Sequence, residues 1–234
     1  MNGDRWRVIV QAFAGAGTDG DGSDRDGGVQ LCRVSQDLLG VSALAITMGT
    51  DRYRSRLCAA DGLADEMDDL QFTIGQGPSI EASTTGQAVA VYSLDDAGDR
   101  WPAFAGPALL AGVCSVFAVP LRLGAASLGV LTLYETVPGR LHPTKLADAQ
   151  LVADAVTHRI ITMQTHAVPG ELSDGLAGVE LHLSQVHQAS GMVSVQLEIG
   201  IVEALLRLRT HAYATSRPVA EVANDVIANR LRLQ

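Results

Sequence analysis

The sequence predicts an α+β chain: an antiparallel sheet flanked by helices, then a coiled-coil linker helix, then a bundle of three short helices. Three observations carry this. Short apolar runs separated by Gly-containing turns recur through the first 135 positions, and consecutive runs of that kind pair antiparallel, with helices gathered to the sides. An apolar seam at Ala149, Val152, Val156, Ile160 and Met163 then advances in steps of three and four. Finally, the tail beyond Gly175 repeats a helical apolar period three times.

Taken in order, residues 1–28 form an N-terminal segment and a Gly/Asp-rich connector, AGAGTDGDGSDRDGG at 14–28, whose composition is that of a flexible linker. A helix is expected over 29–39. Strands follow at 41–48 and 53–59, around the turn Gly49-Thr50-Asp51. Residues 63–70 suit a short helix, and FTIGQGPSIEA at 72–82 places glycines around a tight turn before a second helix start. A strand at 88–94, an apolar helix at 101–111 and strands at 114–123 and 127–135 complete the first unit. Pro143 opens the helix that carries the seam. Two heptads of seam fit either a parallel dimer axis or a helix lying on its own sheet. Val168-Pro169-Gly170 interrupts the rhythm, which resumes at Val179, Leu183, Val186, Ser190, Val193 and Leu197 and fits the same dimer axis. Two amphipathic helices close the chain, one with Ile201, Ala204, Leu205, Leu208 and Ala212 on a face. The other carries Val219, Val222, Ala223, Val226 and Ile227, with Pro218 at its first turn. The boundaries read 29–165 for the first domain, 166–175 for a linker and 176–234 for the second domain.

Composition narrows the function. At 47% hydrophobic residues the chain can bury a sizeable core. No apolar run is long enough to span a bilayer, and residues 1–14 lack the form of a secretory signal, so a cytoplasmic protein without membrane contact is expected. Cys32, Cys58 and Cys114 are far apart and odd in number, which argues against a disulfide framework and for a reducing compartment with small buried thiols. The net charge of −9 speaks against nucleic acid, but it is unevenly placed: beyond Gly175 five acids face five bases, all arginines. No Walker A run, G-x-S-x-G or H-E-x-x-H occurs, and Gly75-Gln76-Gly77 lacks the third glycine of a dinucleotide loop, so catalysis is not expected. No metal set or cofactor motif stands out, since His182 and His187 fall on different faces of one helix.

The tail carries a family pattern. Residues 186–196 (VHQASGMVSVQ), 202–213 (VEALLRLRTHAY) and 217–223 (RPVAEVA) closely resemble the ANTAR domain, which reads Q-A-x-G-x-[LMV], E-A-x-x-x-L-R-x-x-A and R-x-L-x-x-V-A. Gln188, Ala189, Gly191, Glu203, Ala204, Leu208, Arg209, Ala212, Arg217, Val222 and Ala223 match in order and spacing. Many members carry Lys where this chain has Ser190. Residues 29–163 resemble a GAF domain, with Gly75-Gln76-Gly77-Pro78-Ser79 where GAF–ANTAR relatives carry G-E-G-P-[CS].

The resemblance implies a signal-responsive homodimer whose ANTAR bundle binds paired RNA stem-loops in transcript leaders and blocks termination, under control of the GAF domain. The signal would be a small molecule or a protein. RNA loops require cations for phosphates and flat groups for unstacked bases. Arg207, Arg209 and Arg217 supply guanidinium planes, Tyr213 lies one helical turn beyond Arg209, and Gln188 and Ser190 would complete a small surface. Ala189 and Gly191 would let the RNA backbone approach. The plainer alternative packs Tyr213 in the bundle core and pairs Arg209 with Glu203 or Glu221, leaving Arg230 and Arg232 as tail charges. A GAF ligand pocket would draw on Phe72, Tyr92, Trp101, Phe104 and Phe117, which otherwise fill a core. Trp6, Val8 and Ile9 are candidates to seal a partner subunit's sensor face. The competing function is a protein-interaction or small-molecule sensor module without direct RNA binding, which the acidic balance and Ser190 favour.

Overall fold

The computed structural model describes residues 2–15, 27–49, 54–165 and 177–233. The turn at 50–53, the connector at 16–26 and the linker at 166–176 lie outside the described residues, as do the side chains of Val179 and Leu183. The elements run α1 (Asn2–Gly15), α2 (Gly27–Leu39), β1 (Ala43–Met48), β2 (Ser55–Ala59), α3 (Gly62–Ile74), α4 (Pro78–Thr85), β3 (Val89–Val91), α5 (Pro102–Leu110), β4 (Ser115–Leu123), β5 (Ala126–Glu135), α6 (Pro143–Thr165), α7 (Ala177–Leu197), α8 (Ile201–Ala214) and α9 (Val219–Ile227). A 3-10 turn, Asp95–Ala97, precedes α5.

The five strands form one antiparallel sheet in the order β2-β1-β5-β4-β3. Its two faces follow from the alternation of side chains along a strand. Val116 and Ala118 of β4, Val130 and Tyr134 of β5 and Ala43 and Ala45 of β1 face α3, α4 and α5. Phe117, Val119 and Leu121, with Leu131, Leu133, Leu44 and Ile46, face α1, α2 and α6. At Gly129 the neighbouring strand comes so close that a Cβ would stand 2.0 Å from the Thr47 carbonyl oxygen, so only glycine fits.

The seam of α6 is not a dimer axis in this structure. Ala149, Val152, Val156 and Ile160 are buried against the sheet, α1 and α2 of the same chain. The two-heptad pattern arises because a helix covering a sheet has the same 3-4 stripe as a short coiled coil. The same correction holds for α7, where Val186, Ser190 and Val193 turn toward α8 and α9. The N-terminal helix α1, which the sequence reading left unassigned, docks Ile9 and Phe13 one turn apart into the sheet core and pairs Arg5 with Asp148 at 3.1 Å. Ile9 therefore belongs to its own subunit's core, while Trp6 and Val8 stay exposed.

The thiol expectation is also overturned: Cys32 of α2 and Cys58 of β2 are joined in a disulfide, and Cys114 alone is free. Their separation of 26 positions gave no hint, because only the packing of α2 on β2 brings the pair together. Among the described residues no single helix is long and apolar enough to cross a membrane.

Helices α7, α8 and α9 enclose a separate core of Val186, Ala189, Val193, Ala204, Leu208, Val222 and Val226. This bundle rests on the sheet domain through α7 on β2 and through α8 and α9 on α3.

Candidate functional site

The five aromatic residues expected to line one sensor pocket lie in three places. Trp101 and Phe104 are buried between the sheet and α3–α5. There Arg100 stacks over the Trp101 ring at 4.4 Å and pairs with Glu81. Phe117 points to the opposite face, and its ring meets that of Tyr92 at 5.9 Å, with Arg140 over Tyr92 at 4.8 Å. Phe72, at the end of α3, faces neither side of the sheet and packs against the C-terminal bundle. The strand period separates Phe117 from its neighbours, and the exit of α3 from the sheet separates Phe72.

Where a pocket was expected, the described side chains instead form a buried polar cluster. Gln71 is its hub: its Nε2 donates to the Tyr134 hydroxyl at 2.9 Å, and its Oε1 accepts the Ser79 backbone N–H at 2.8 Å. Arg54 Nη2 donates to Thr47 Oγ1 at 2.9 Å and to Ser79 Oγ at 3.0 Å. The turn between α3 and α4 is shaped around that hub. Gly75 ends α3 in the left-handed region (φ 67°), and Gly77 has a φ of 128°, where a Cβ would strike the Gln71 side chain at 2.4 Å. The GQGPS motif is thus a backbone device that seats Ser79 on Gln71 and Arg54.

Beside the cluster lies a cavity of about 20 Å³, room for about one water molecule, bounded by Thr47, Arg54, Ser55, Arg56, Asp68, Asp69, Phe72 and Val186. Burial pushes the Asp68 carboxyl up to about 6, against the pull of Arg54 and Arg56. Burial also raises the Tyr134 phenol well above its ordinary value, with the charge of Asp68 adding to the rise. Arg56 is clasped by Asp65 and Asp69, each at 2.8 Å. The sequence reading singled out the glycines of this region and Ser79, but not its other polar members, which are scattered over β1, β2 and the residue before it, α3 and β5.

Val186 belongs to α7, so the cavity borders the junction with the bundle. The central contact of that junction is Arg209 of α8, whose guanidinium lies 4.9 Å from the Phe72 ring centre. A Cβ on Gly75 would stand 3.4 Å from Arg209 Nη1. Its Nε and Nη2 are buried without a hydrogen-bond partner among the described residues, and burial together with the nearby charge of Arg54 lowers its proton affinity. Neither Glu203 nor Glu221 takes Arg209: Glu203 lies 3.7 Å from Arg207, and Glu221 lies 3.4 Å from Arg217.

The remaining motif residues divide into core and surface. Ala189 is fully buried and Ser190 is 2% exposed, with its hydroxyl donating to the Val186 carbonyl at 2.7 Å. Buried in this way, the two are withdrawn from any recognition surface. Gly191 is partly buried, whereas Gln188 and Arg207 are exposed. Tyr213 is 53% exposed and so is not a core residue. Arg217 is half-exposed and paired with Asp225 at 2.7 Å, an arrangement that holds the Asp225 carboxyl below its usual range.

With this geometry in view, solved structures resemble the sheet domain. The GAF domain of an Acinetobacter phosphoenolpyruvate-protein phosphotransferase aligns over 72% of this chain and 98% of its own, with a TM-score of 0.51 at 14% identity. The fold is that of a GAF domain. Lower on the same scale are the phycocyanobilin-bound GAF domain of a cyanobacterial phytochrome (TM-score 0.49, 12% identity, 69% of this chain and 98% of that one) and the A. aeolicus nlh2 GAF domain in an inactive state (0.47, 13%, 68% and 94%). No protein-family model matches the chain, and no curated protein matches it in sequence. The GAF fold accounts for the sheet and its flanking helices; the bundle α7–α9 is additional to it.

Proposed function

We propose that the chain is a signal-responsive RNA-binding regulator acting by transcription antitermination, a homodimer in which the GAF-fold domain senses a small-molecule or protein signal and the C-terminal bundle holds paired RNA stem-loops. We read it as a regulator rather than an enzyme, working in the cytoplasm. One observation supports this above the rest: the ANTAR-like motif divides in the bundle as a recognition module requires. Its apolar positions Ala189, Ala204, Leu208, Ala212, Val222 and Ala223 form the core, while Gln188 and Arg217, together with the neighbouring Tyr213, reach the surface. An exposed tyrosine ring is a platform on which an unstacked base can lie.

The test is electrophoretic binding of the full chain to an RNA carrying two short stem-loops, beside a single-hairpin RNA, at two salt concentrations. Tyr213→Ala should weaken binding by roughly tenfold, the cost of about one lost stacking contact, without changing the thermal midpoint. Binding should also need both hairpins and fall as salt rises. A protein-interaction module is the second reading. It is favoured by the net charge of −9 and by the apolar residues Ile201, Val202 and Leu206, all exposed on α8. Absence of RNA binding by the folded chain at low salt would move the assignment to that reading.

A further inference from the structure

Tyr213 and Arg209 lie one helical turn apart on α8, so a ligand that stacks on Tyr213 meets Arg209 next. In this structure Arg209 is occupied, not by a carboxylate but by the sensor domain: Phe72 lies under its guanidinium and Gly75 alongside. We propose that Arg209 is a latch contested by two partners, the sensor domain, which holds it on Phe72, and RNA, which must take it from Phe72 to engage the bundle. This rests on the RNA reading above and adds to it the means by which the site is regulated.

The contact is poorly satisfied for an arginine. Two of its buried nitrogens, Nε and Nη2, have no acceptor among the described residues, so docking takes the charge from water and returns little beyond the face of one ring. The nearby positive charge of Arg54 makes the guanidinium less comfortable still. A phosphate or a base edge would supply the missing acceptors in charge-assisted bonds. The latch is therefore closed but only weakly held, as a switch between two partners requires.

The sensor domain also has the means to move it. Phe72 follows Gln71, and Gln71 is bonded to Tyr134 on the sheet and to Ser79 at the start of α4. A shift in either is carried by one side chain to the residue that holds Arg209, and Gly75 sits three residues further along.

The experiment titrates the two-hairpin RNA into the full chain and into Phe72→Leu, Phe72→Ala and Arg209→Ala. Hydrogen exchange of residues 62–74 and 201–214 is followed in the same proteins. Phe72→Leu keeps most of the apolar volume while removing the ring, so it guards against a fold defect in Phe72→Ala. Opening the latch should raise RNA affinity by about three- to tenfold in both Phe72 variants, with faster exchange in both segments. Arg209→Ala should show the same faster exchange and lose RNA binding. RNA added to the unaltered chain should itself speed exchange over 62–74. Unchanged RNA affinity in Phe72→Leu despite faster exchange would overturn the latch and leave the RNA reading standing. Failure of every protein to bind, although folded, would overturn the RNA reading and the latch with it.

Discussion

Asp68 is buried in the GAF-fold domain with Arg56 Nη1 at 3.8 Å, and burial pushes its carboxyl up to about 6 from an ordinary value of 3.8. Because the folded value is the higher one, the native chain binds the proton more tightly than the unfolded chain does. The associated stability is fully present below about pH 4 and is lost as pH rises through about 6, a difference of roughly 2–3 kcal/mol. Urea unfolding at pH 4.5 and pH 7.5 should therefore show a decline that is absent in Asp68→Asn; parallel behaviour of the two proteins would place the titration elsewhere. Ser190 makes a second case at the same scale. The family resemblance implies that a lysine here would favour RNA, yet the side chain is buried and bonded to the Val186 carbonyl. Ser190→Lys should cost the bundle about 1–3 kcal/mol in unfolding free energy and leave RNA affinity no better, since an ammonium at this position must be desolvated or must push α8 aside. A gain in affinity without loss of stability would show that the lysine reaches the surface.

Elements were legible in the sequence where their apolar period is local, and illegible where a distant partner decides their role. The strands β4 and β5 and the helices α8 and α9 lie close to where alternation and the 3.6-residue period put them. The role of α6 was ambiguous for a physical reason, because the stripe Ala149–Val152–Val156–Ile160 would look the same against a sheet or against a second helix. Helix α1 was missed because its buried apolar residues, Ile9 and Phe13, and its ion-paired Arg5 all have partners far away in sequence on the other core elements. Apart from Ser79, the polar hub went unseen for a similar reason: Gln71 and Tyr134 come from α3 and β5, and Arg54 immediately precedes β2. Ile160→Ala separates the two roles of α6. A residue buried against its own sheet should lower the unfolding free energy by about 2–4 kcal/mol while the mass measured by light scattering stays that of the unaltered chain. A stable, folded protein that has become a smaller assembly would restore the dimer-axis role.

At the scale of the whole molecule, the stability of one domain reaches the other through β2. This edge strand carries Cys58, joined to Cys32 of α2, and it is also where α7 rests. The disulfide joins residues 26 positions apart and closes a loop that contains β1, and in the chain-entropy account a crosslink of that span stabilises by about 3 kcal/mol. Its two sulfurs are buried, so the bond is shielded from thiols in solution while the chain stays folded. Protein prepared without reductant should therefore yield one titratable thiol after denaturation, that of Cys114, and three after reduction. Dithiothreitol, or Cys32→Ser, should lower the urea midpoint by an amount equivalent to about 3 kcal/mol, with α7 affected alongside the sheet, because the strand beneath it has lost its tie. Three titratable thiols in denatured, unreduced protein would mean that the pair lies side by side without bonding. The docking of the bundle would then depend on packing and on the Arg209–Phe72 contact, with no covalent tie beneath it.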